Sequence, residues 1–328
     1  MTFYKCIKVM ENDIMKKGFV VSIAVLVLSL WAFSAFAAQK LTLMLDWFPN
    51  VDHLPIYVAR QQGYFSEKGL EIKILSPSDT SDALKLAASG SVDIAISYQP
   101  QTIIAASEGL DIIAVGRLIE HPLTTLLFLE GKGINKPSDL EGKRIGYTVP
   151  GLMDVLLEAF AKINGIKNYT PINVGFTIVP SLVAGKVDAI MGPFKTYETV
   201  AMRHKGYQAG YFELEQWGIP DYDELIFVCG AKALKEKEKL IKEFSMAVDR
   251  GIAYSRANPE KALEQYFKAV PEADKKTETE AFKLTLPYFS YSQKHDVRRW
   301  QRFADFSLKY GLVDRPVDVK TVLQLWEK

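Results

Sequence analysis

Cysteine is nearly absent from this 328-residue chain. Cys6 and Cys229 stand at no metal-ligand spacing, which excludes a disulfide framework and a structural zinc site. Histidine is equally sparse, and His53, His121, His204 and His295 form no helical pair that could hold a metal. Neither sign of charge predominates. With 40 basic and 39 acidic residues, nothing electrostatic favours nucleic acid or an anionic membrane as partner. Enzyme signatures are missing too: no G-x-S-x-G elbow, Walker A loop, H-E-x-x-H or C-x-x-C occurs. Gly131-Lys132-Gly133 is too short for a dinucleotide fingerprint and reads as a turn, so no cofactor is implied.

What is present is the composition of a soluble globular protein, 48% hydrophobic and 24% charged, long enough for two domains. The N-terminus carries an address. Lys16-Lys17 precede an apolar run from Gly18 to Phe33, and Ala35-Phe36-Ala37 closes it with a cleavage pattern. A cleaved signal peptide over residues 1–37 is expected, with 1–14 an upstream extension before Met15 and the mature protein in the periplasm. The competing reading is an uncleaved anchor, disfavoured because small residues close the run and no basic stop-transfer cluster follows. Cleavage would remove four lysines and two acids and leave a nearly neutral chain.

One pattern occurs twice. Leu86-Ala87-Ala88-Ser89-Gly90-Ser91-Val92-Asp93-Ile94-Ala95 and Leu182-Val183-Ala184-Gly185-Lys186-Val187-Asp188-Ala189-Ile190 each read as a helix end, a Gly at the left-handed C′ position and an apolar strand. The first copy runs into Tyr98-Gln99-Pro100-Gln101, the second into Phe194-Lys195-Thr196-Tyr197-Glu198. Ligands in open α/β sheets sit beyond the carboxyl ends of strands. Two such units predict an α/β protein of two lobes with a cleft between them.

The rest of the pattern fits that plan. Leu41–Leu45 reads as a strand ending in the loop Asp46-Trp47-Phe48-Pro49-Asn50, and His53 opens a helix. Ser81-Asp82 caps a helix to Ser89, and Gln101–Gly109 is another. Thr124–Leu129 reads as a strand of the first lobe, with the crossing at Glu130–Gly133; Leu225–Cys229 returns to it. The first lobe is therefore expected over 38–130 and 225–328 and the second over 131–224, joined by short hinges that favour clam-like closure.

Trp47, Tyr98, Phe194 and Tyr197 all fall at or just past strand ends, where aromatic faces can hold a flat ring, each pair contributing about 0.5–1.5 kcal/mol beyond area burial. Glu198, four residues after Phe194, would share a face with it on a helical turn and could accept from a ring amine. Thr148–Gly151, before a helix, could offer backbone N–H groups to a polar ligand group or be a plain strand–helix turn.

On Asp46-Trp47-Phe48-Pro49-Asn50, His53-x-Pro55-x-Tyr57, Gly63-Tyr64-Phe65, the Gly-x-Val-Asp element, Ser97-Tyr98-Gln99 and Leu140-x-Gly142-Lys143-x-Ile145-Gly146, the chain resembles exported solute-binding proteins of the NMT1/THI5-like family. The likeness runs from Leu41 to about Trp326 and is strongest to thiamine-precursor pyrimidine binders. It implies a type II periplasmic-binding-protein fold and, as partners, a small pyrimidine (hydroxymethyl- or formylaminomethyl-) and an ABC permease, with a monomeric receptor. It implies a ligand site of Asp46, Trp47, Asn50, His53, Tyr98, Gln99, Thr148, Gly151, Phe194, Tyr197 and Glu198, with Trp47, Tyr98 and Phe194 around the ring and Glu198 at its amino edge. Phe194 stands where a Tyr is expected, which removes one hydroxyl contact. Riboflavin, sulfonate or nitrate binding are the alternatives. The related pyrimidine-phosphate synthases act on pyridoxal phosphate through a Lys and a His four residues later; here those positions are Ser97 and Gln101, so binding rather than catalysis is expected.

Overall fold

Each of two five-stranded sheets is built on the same plan, and the second interrupts the first. The computed structural model describes residues 38–326; the expected signal peptide lies outside the described residues. First come β1 (Gln39–Met44), α1 (Leu54–Gln61), β2 (Leu70–Leu75), α2 (Asp82–Ala88), β3 (Ile94–Ser97), α3 (Gln99–Ser107) and β4 (Ile112–Ile119). Then follow β5 (Thr124–Leu129), β6 (Arg144–Tyr147), α4 (Met153–Ile163), β7 (Thr170–Asn173), α5 (Ile178–Val183), β8 (Ala189–Phe194), α6 (Glu198–His204) and β9 (Ala209–Glu213). The chain ends through β10 (Leu225–Gly230), α7 (Ala231–Ala257), α8 (Pro259–Ala269), α9 (Lys275–Thr285) and α10 (Val297–Tyr310).

The strand orders are β2-β1-β3-β10-β4 and β7-β6-β8-β5-β9. In each, the first three strands are parallel, and the fourth is antiparallel to both neighbours. That antiparallel strand is always the one arriving from the other lobe. β5 follows β4 and enters the second sheet; β10 follows β9 and enters the first. Thr124–Leu129 therefore belongs to the second lobe, and the crossing is residues 120–123 rather than Glu130–Gly133. The apolar run of β5 would fit either sheet, and only its pairing with β8 and β9 settles which.

The doubled Gly-x-Val-Asp element has a structural meaning. Asp93 Oδ2 accepts from the backbone N–H of Thr42 (2.7 Å) and its hydroxyl (2.8 Å), and Asp188 Oδ2 accepts from the backbone N–H of Arg144 (2.9 Å). Each aspartate thus pins its central strand, β3 or β8, to the neighbouring β1 or β6. Burial would raise both carboxyls, but hydrogen bonds from Lys237 to Asp93 and from Arg144 to Asp188 outweigh it and hold both low. From these pinned starts β3 runs to Ser97 and β8 to Phe194.

A long helix braces the first lobe. α7, kinked at Lys237, crosses α1 at Gly251, where any Cβ would collide with the Pro55 carbonyl. This close approach seats α1 and the loop before it. The helix expected behind Ser81-Asp82 exists, but Ser81 makes no capping bond; its N–H is held by Asp79 Oδ1 (2.9 Å) instead.

The two crossings, 120–123 and 218–224, are clamped side by side. Glu224 is fully buried and accepts from the N–H groups of Leu123 (2.6 Å) and Thr124 (2.7 Å) and the Thr124 hydroxyl (2.8 Å). Next to it, buried Asp223 accepts from Arg117 Nη1 (3.3 Å), Arg299 and Trp300 Nε1 (2.7 Å). Burial alone would raise Asp223, yet neighbouring His295 and the charges of Arg299 and Arg117 hold it low.

Candidate functional site

The loop after β1 supplies the first wall. Asn50 caps the single 3-10 turn Val51–His53: its Oδ1 accepts from Asp52 N (2.8 Å), and its own N–H donates to His53 Nδ1 (3.4 Å). An acceptor at Nδ1 leaves the proton on Nε2, which donates to Asp46 Oδ1 (2.9 Å). The other Asp46 oxygen accepts from the Tyr98 hydroxyl (2.8 Å), brought in by the end of β3. Burial, then the Asp46 charge, pushes the Tyr98 phenol well above its usual range, so it stays a donor. Asp46, His53 and Tyr98 are a locked, preorganised wall, with both Asp46 oxygens occupied.

The opposite wall comes from β6, β8 and α6. β8 runs to Phe194, and α6 starts at Glu198, so these two do not share the helical face expected of them; instead Phe194 N–H donates to Glu198 Oε2 (2.7 Å). Thr148 follows β6 and lies over Gly192, where any Cβ would collide with the Thr148 hydroxyl. Gly192 has φ 122°, a conformation open to glycine alone at little strain.

Asp46, Trp47, Asn50, Asp52, His53, Tyr98, Thr148, Ile178, Gly192, Phe194, Tyr197, Glu198 and Leu225 surround about 400 Å³ of empty space, part of it open to solvent. Nine of the eleven expected site residues are thus brought together. Gln99 and Gly151 are not. α3 begins at Gln99 itself, turning its side chain to the hinge, where Gln99 Oε1 accepts from Asp223 N (2.8 Å). Gly151 is exposed, and its N–H donates to Asp154 Oδ1 (2.8 Å), the plain turn of the two readings.

Asp52 was not foreseen. It sits in a 3-10 turn too short to show periodicity, and its Oδ1 accepts from Thr285 of α9 (2.9 Å). Phe176, also unforeseen, packs 4.6 Å from Trp47 and 4.4 Å from Phe48 between ring centroids, so aromatic side chains of the two lobes meet at the rim. A position just past β7 was its one available signal, and β7 is a short, largely exposed strand.

Burial pushes Glu198 up to about 7. Asp52 is also pushed to about 7, by burial and by the charges of Glu198 and Glu278. Among the described residues lining the space, no Lys or Arg occurs, and His53 is committed to Asp46. Such a pocket suits ligand groups that donate protons or carry positive charge.

The lobes also touch beside the pocket. Tyr197 Oη donates to Glu278 Oε1 (2.8 Å), and Val51 N–H donates to Glu278 Oε2 (2.8 Å). Thr80 Oγ1 donates to the Thr148 carbonyl (2.7 Å), and His204 meets Thr277 (3.0 Å) and Glu280 (2.8 Å) of α9.

Two similar α/β lobes, swapped antiparallel strands and a cleft at the strand ends define the periplasmic-binding-protein fold. Solved structures agree: a Candida albicans gene product described as having the generic form of this fold superposes with TM-score 0.68 at 19% identity, covering 88% of this chain and 98% of that one. The alkanesulfonate-binding protein of Xanthomonas axonopodis superposes with TM-score 0.68 at 15% identity, covering 87% and 98%. A family model described as NMT1/THI5 like matches residues 50–262, and the chain belongs to that family. It is 35% identical to a Haemophilus influenzae protein named for thiamine biosynthesis, over 87% of this chain and 92% of the relative. It is 32% identical to the formylaminopyrimidine-binding protein of Halalkalibacterium halodurans, over 69% of each. A Legionella pneumophila 4-amino-5-hydroxymethyl-2-methylpyrimidine phosphate synthase is 28% identical, over 86% and 90%.

Proposed function

We propose that this protein is the periplasmic receptor that captures a thiamine-related aminopyrimidine and hands it to an ABC importer. One observation carries the reading: a slot with aromatic side chains at Trp47, Phe194 and Tyr197 holds two carboxyls, buried Asp52 and half-buried Glu198, and no basic side chain besides the committed His53. Aromatic faces of this kind stack on a flat ring, whose amino and ring-nitrogen edge would complement Glu198. The similar formylaminopyrimidine-binding protein supports the same ligand class. An anion such as sulfonate or nitrate would be desolvated against two carboxyls, so neighbours that bind those ions share the fold but not this chemistry.

Capture without turnover is the role proposed, despite the synthase-named relatives. Ser97 and Gln101 stand where the synthases are expected to use Lys and His, and here Ser97 Oγ donates to Gln101 Oε1 (2.8 Å). Lys195, near in sequence, is bound to Glu213 (2.6 Å) and Glu215 (3.2 Å) rather than lining the slot. The mature protein is proposed to start near Ala38 and to act as a monomer. Titration of residues 38–328 with 4-amino-5-hydroxymethyl-2-methylpyrimidine, formylaminopyrimidine, riboflavin, taurine and nitrate, followed by tryptophan fluorescence, tests the ligand class. A response to the pyrimidines alone is expected; a response to taurine or nitrate alone would overturn it.

A further inference from the structure

We propose that the cleft is gated by charge: Asp52 from the first lobe and Glu198 from the second face one ligand, so the lobes close on a cationic heterocycle and discriminate against its neutral isostere. This rests on the pocket being the ligand site and adds the ligand's charge and the trigger for closure.

The argument is geometric. Asp52 belongs to the turn carried by β1, and Glu198 starts the helix carried by β8, so their separation is set by the angle between the lobes. Both line the same space. Glu278, on α9 behind Asp52, adds a third carboxyl and reaches Tyr197 of the second lobe. None of the three forms an ion pair among the described residues.

The groups lining the slot with Asp52 and Glu198 are acid or neutral apart from His53. The 3-10 turn brings His53, bound to Asp46; α6 brings Tyr197; α8 brings Tyr266, whose buried hydroxyl has no partner among the described residues; α9 brings Asp274 at its N-cap. The cations of α6 lie at its far end, where Arg203 and His204 engage Glu280, and Lys205, just past that end, shares with Glu198 a separate outer groove rather than the slot. Closing an empty cleft therefore presses like charges together in a place poor in water, and a bridging cation converts that repulsion into attraction from both sides. Burial places Asp52, Glu198 and Glu278 each at about 7, so the gate gains charge as pH rises through neutrality.

The probes are benzamidinium, a planar cation whose charge persists through the neutral range, and neutral benzamide, titrated calorimetrically into the mature protein at about pH 6, 7 and 8. Benzamidinium is expected to bind about tenfold tighter at about pH 8 than at pH 6, and at least about tenfold tighter than benzamide at the higher pH. Asp52→Asn, which keeps an acceptor for Thr285, should reduce the cation preference and the pH response. Small-angle scattering of this variant without ligand should show a smaller radius of gyration than wild type at pH 8. Equal affinity for the two probes, or a flat response to pH in wild type, would overturn the proposal and needs no variant to be read. Preference for benzamidinium with no binding of an aminopyrimidine would support the gate and remove the pyrimidine assignment; tight, pH-independent aminopyrimidine binding with equal affinity for the two probes would do the reverse.

Discussion

Glu224 Oε2 accepts from the backbone N–H of Thr124 over 2.7 Å, and this bond ties the second crossing between the lobes to the first. Thr124 begins β5 and Glu224 immediately precedes β10, the two strands that have just changed sheets, so one carboxylate joins both crossings. Gln99 completes the arrangement by accepting from Asp223 N beside it. The two short crossings are thereby held side by side where the antiparallel strands start.

Truncating the clamp leaves two buried N–H groups of Leu123 and Thr124 without their acceptor. Glu224→Ala should destabilise the protein by about 2–4 kcal/mol, while Glu224→Gln, which keeps an acceptor, should be clearly milder. Urea denaturation followed by circular dichroism measures both; equal effects would show that the hydrogen bonds to the crossing contribute little.

At the ligand edge, Glu198→Gln should weaken aminopyrimidine binding by about 1.5 kcal/mol, roughly tenfold, through loss of a charge-assisted hydrogen bond. Its Oε can still accept from Phe194 N–H, so the melting temperature should change little. Calorimetric titration of the variant checks this, and unchanged affinity would take Glu198 out of the site.

The slot depends on a missing side chain. Gly192→Ala places a methyl against the Thr148 hydroxyl at φ 122°, and should cost at least about 2 kcal/mol while narrowing the pocket. Thr148→Ser combined with Gly192→Ala should recover little, since the backbone conformation remains strained. Thermal unfolding of the single and double variants measures the difference.

The carboxyls of buried Asp52, Glu224 and Glu278 and of half-buried Glu198 are all raised to about 7. A carboxyl raised in the folded state holds its proton longer than in the unfolded chain. Its contribution is therefore full below the ordinary carboxyl range near 4 and declines as pH rises to about 7. Asp93, Asp188 and Asp223 are lowered and act in the opposite sense, but only over the acid range beneath about 4. The ligand-free protein should thus melt several degrees lower at about pH 7.5 than at about pH 5. Glu224→Gln should shrink that difference, and a melting temperature that rises over this span would contradict the sign.

Much of the site was legible because it hangs on strand ends, and strands are marked by local pattern. The aspartates of the doubled element anchor β3 and β8, so Tyr98, Phe194, Tyr197 and Glu198 could be read off by following each strand to its end. Gln99 was misplaced because the start of α3 moved by two residues, enough to swing its side chain from cleft to hinge. Asp52 escaped notice because a one-turn helix leaves no periodicity, and its partner Thr285 lies 233 residues away. The lobe to which Thr124–Leu129 belongs was hidden for a related reason: an apolar run of six residues specifies a buried strand, while its neighbours are set by contacts far along the chain.

Calorimetric titration of residues 38–328 with 4-amino-5-hydroxymethyl-2-methylpyrimidine, with taurine and nitrate as controls, tests the aminopyrimidine assignment most directly. One-to-one binding of the pyrimidine, weakened about tenfold by Glu198→Gln, with no heat from either anion, is the expected result. Binding of taurine or nitrate with no heat from the pyrimidine would contradict it.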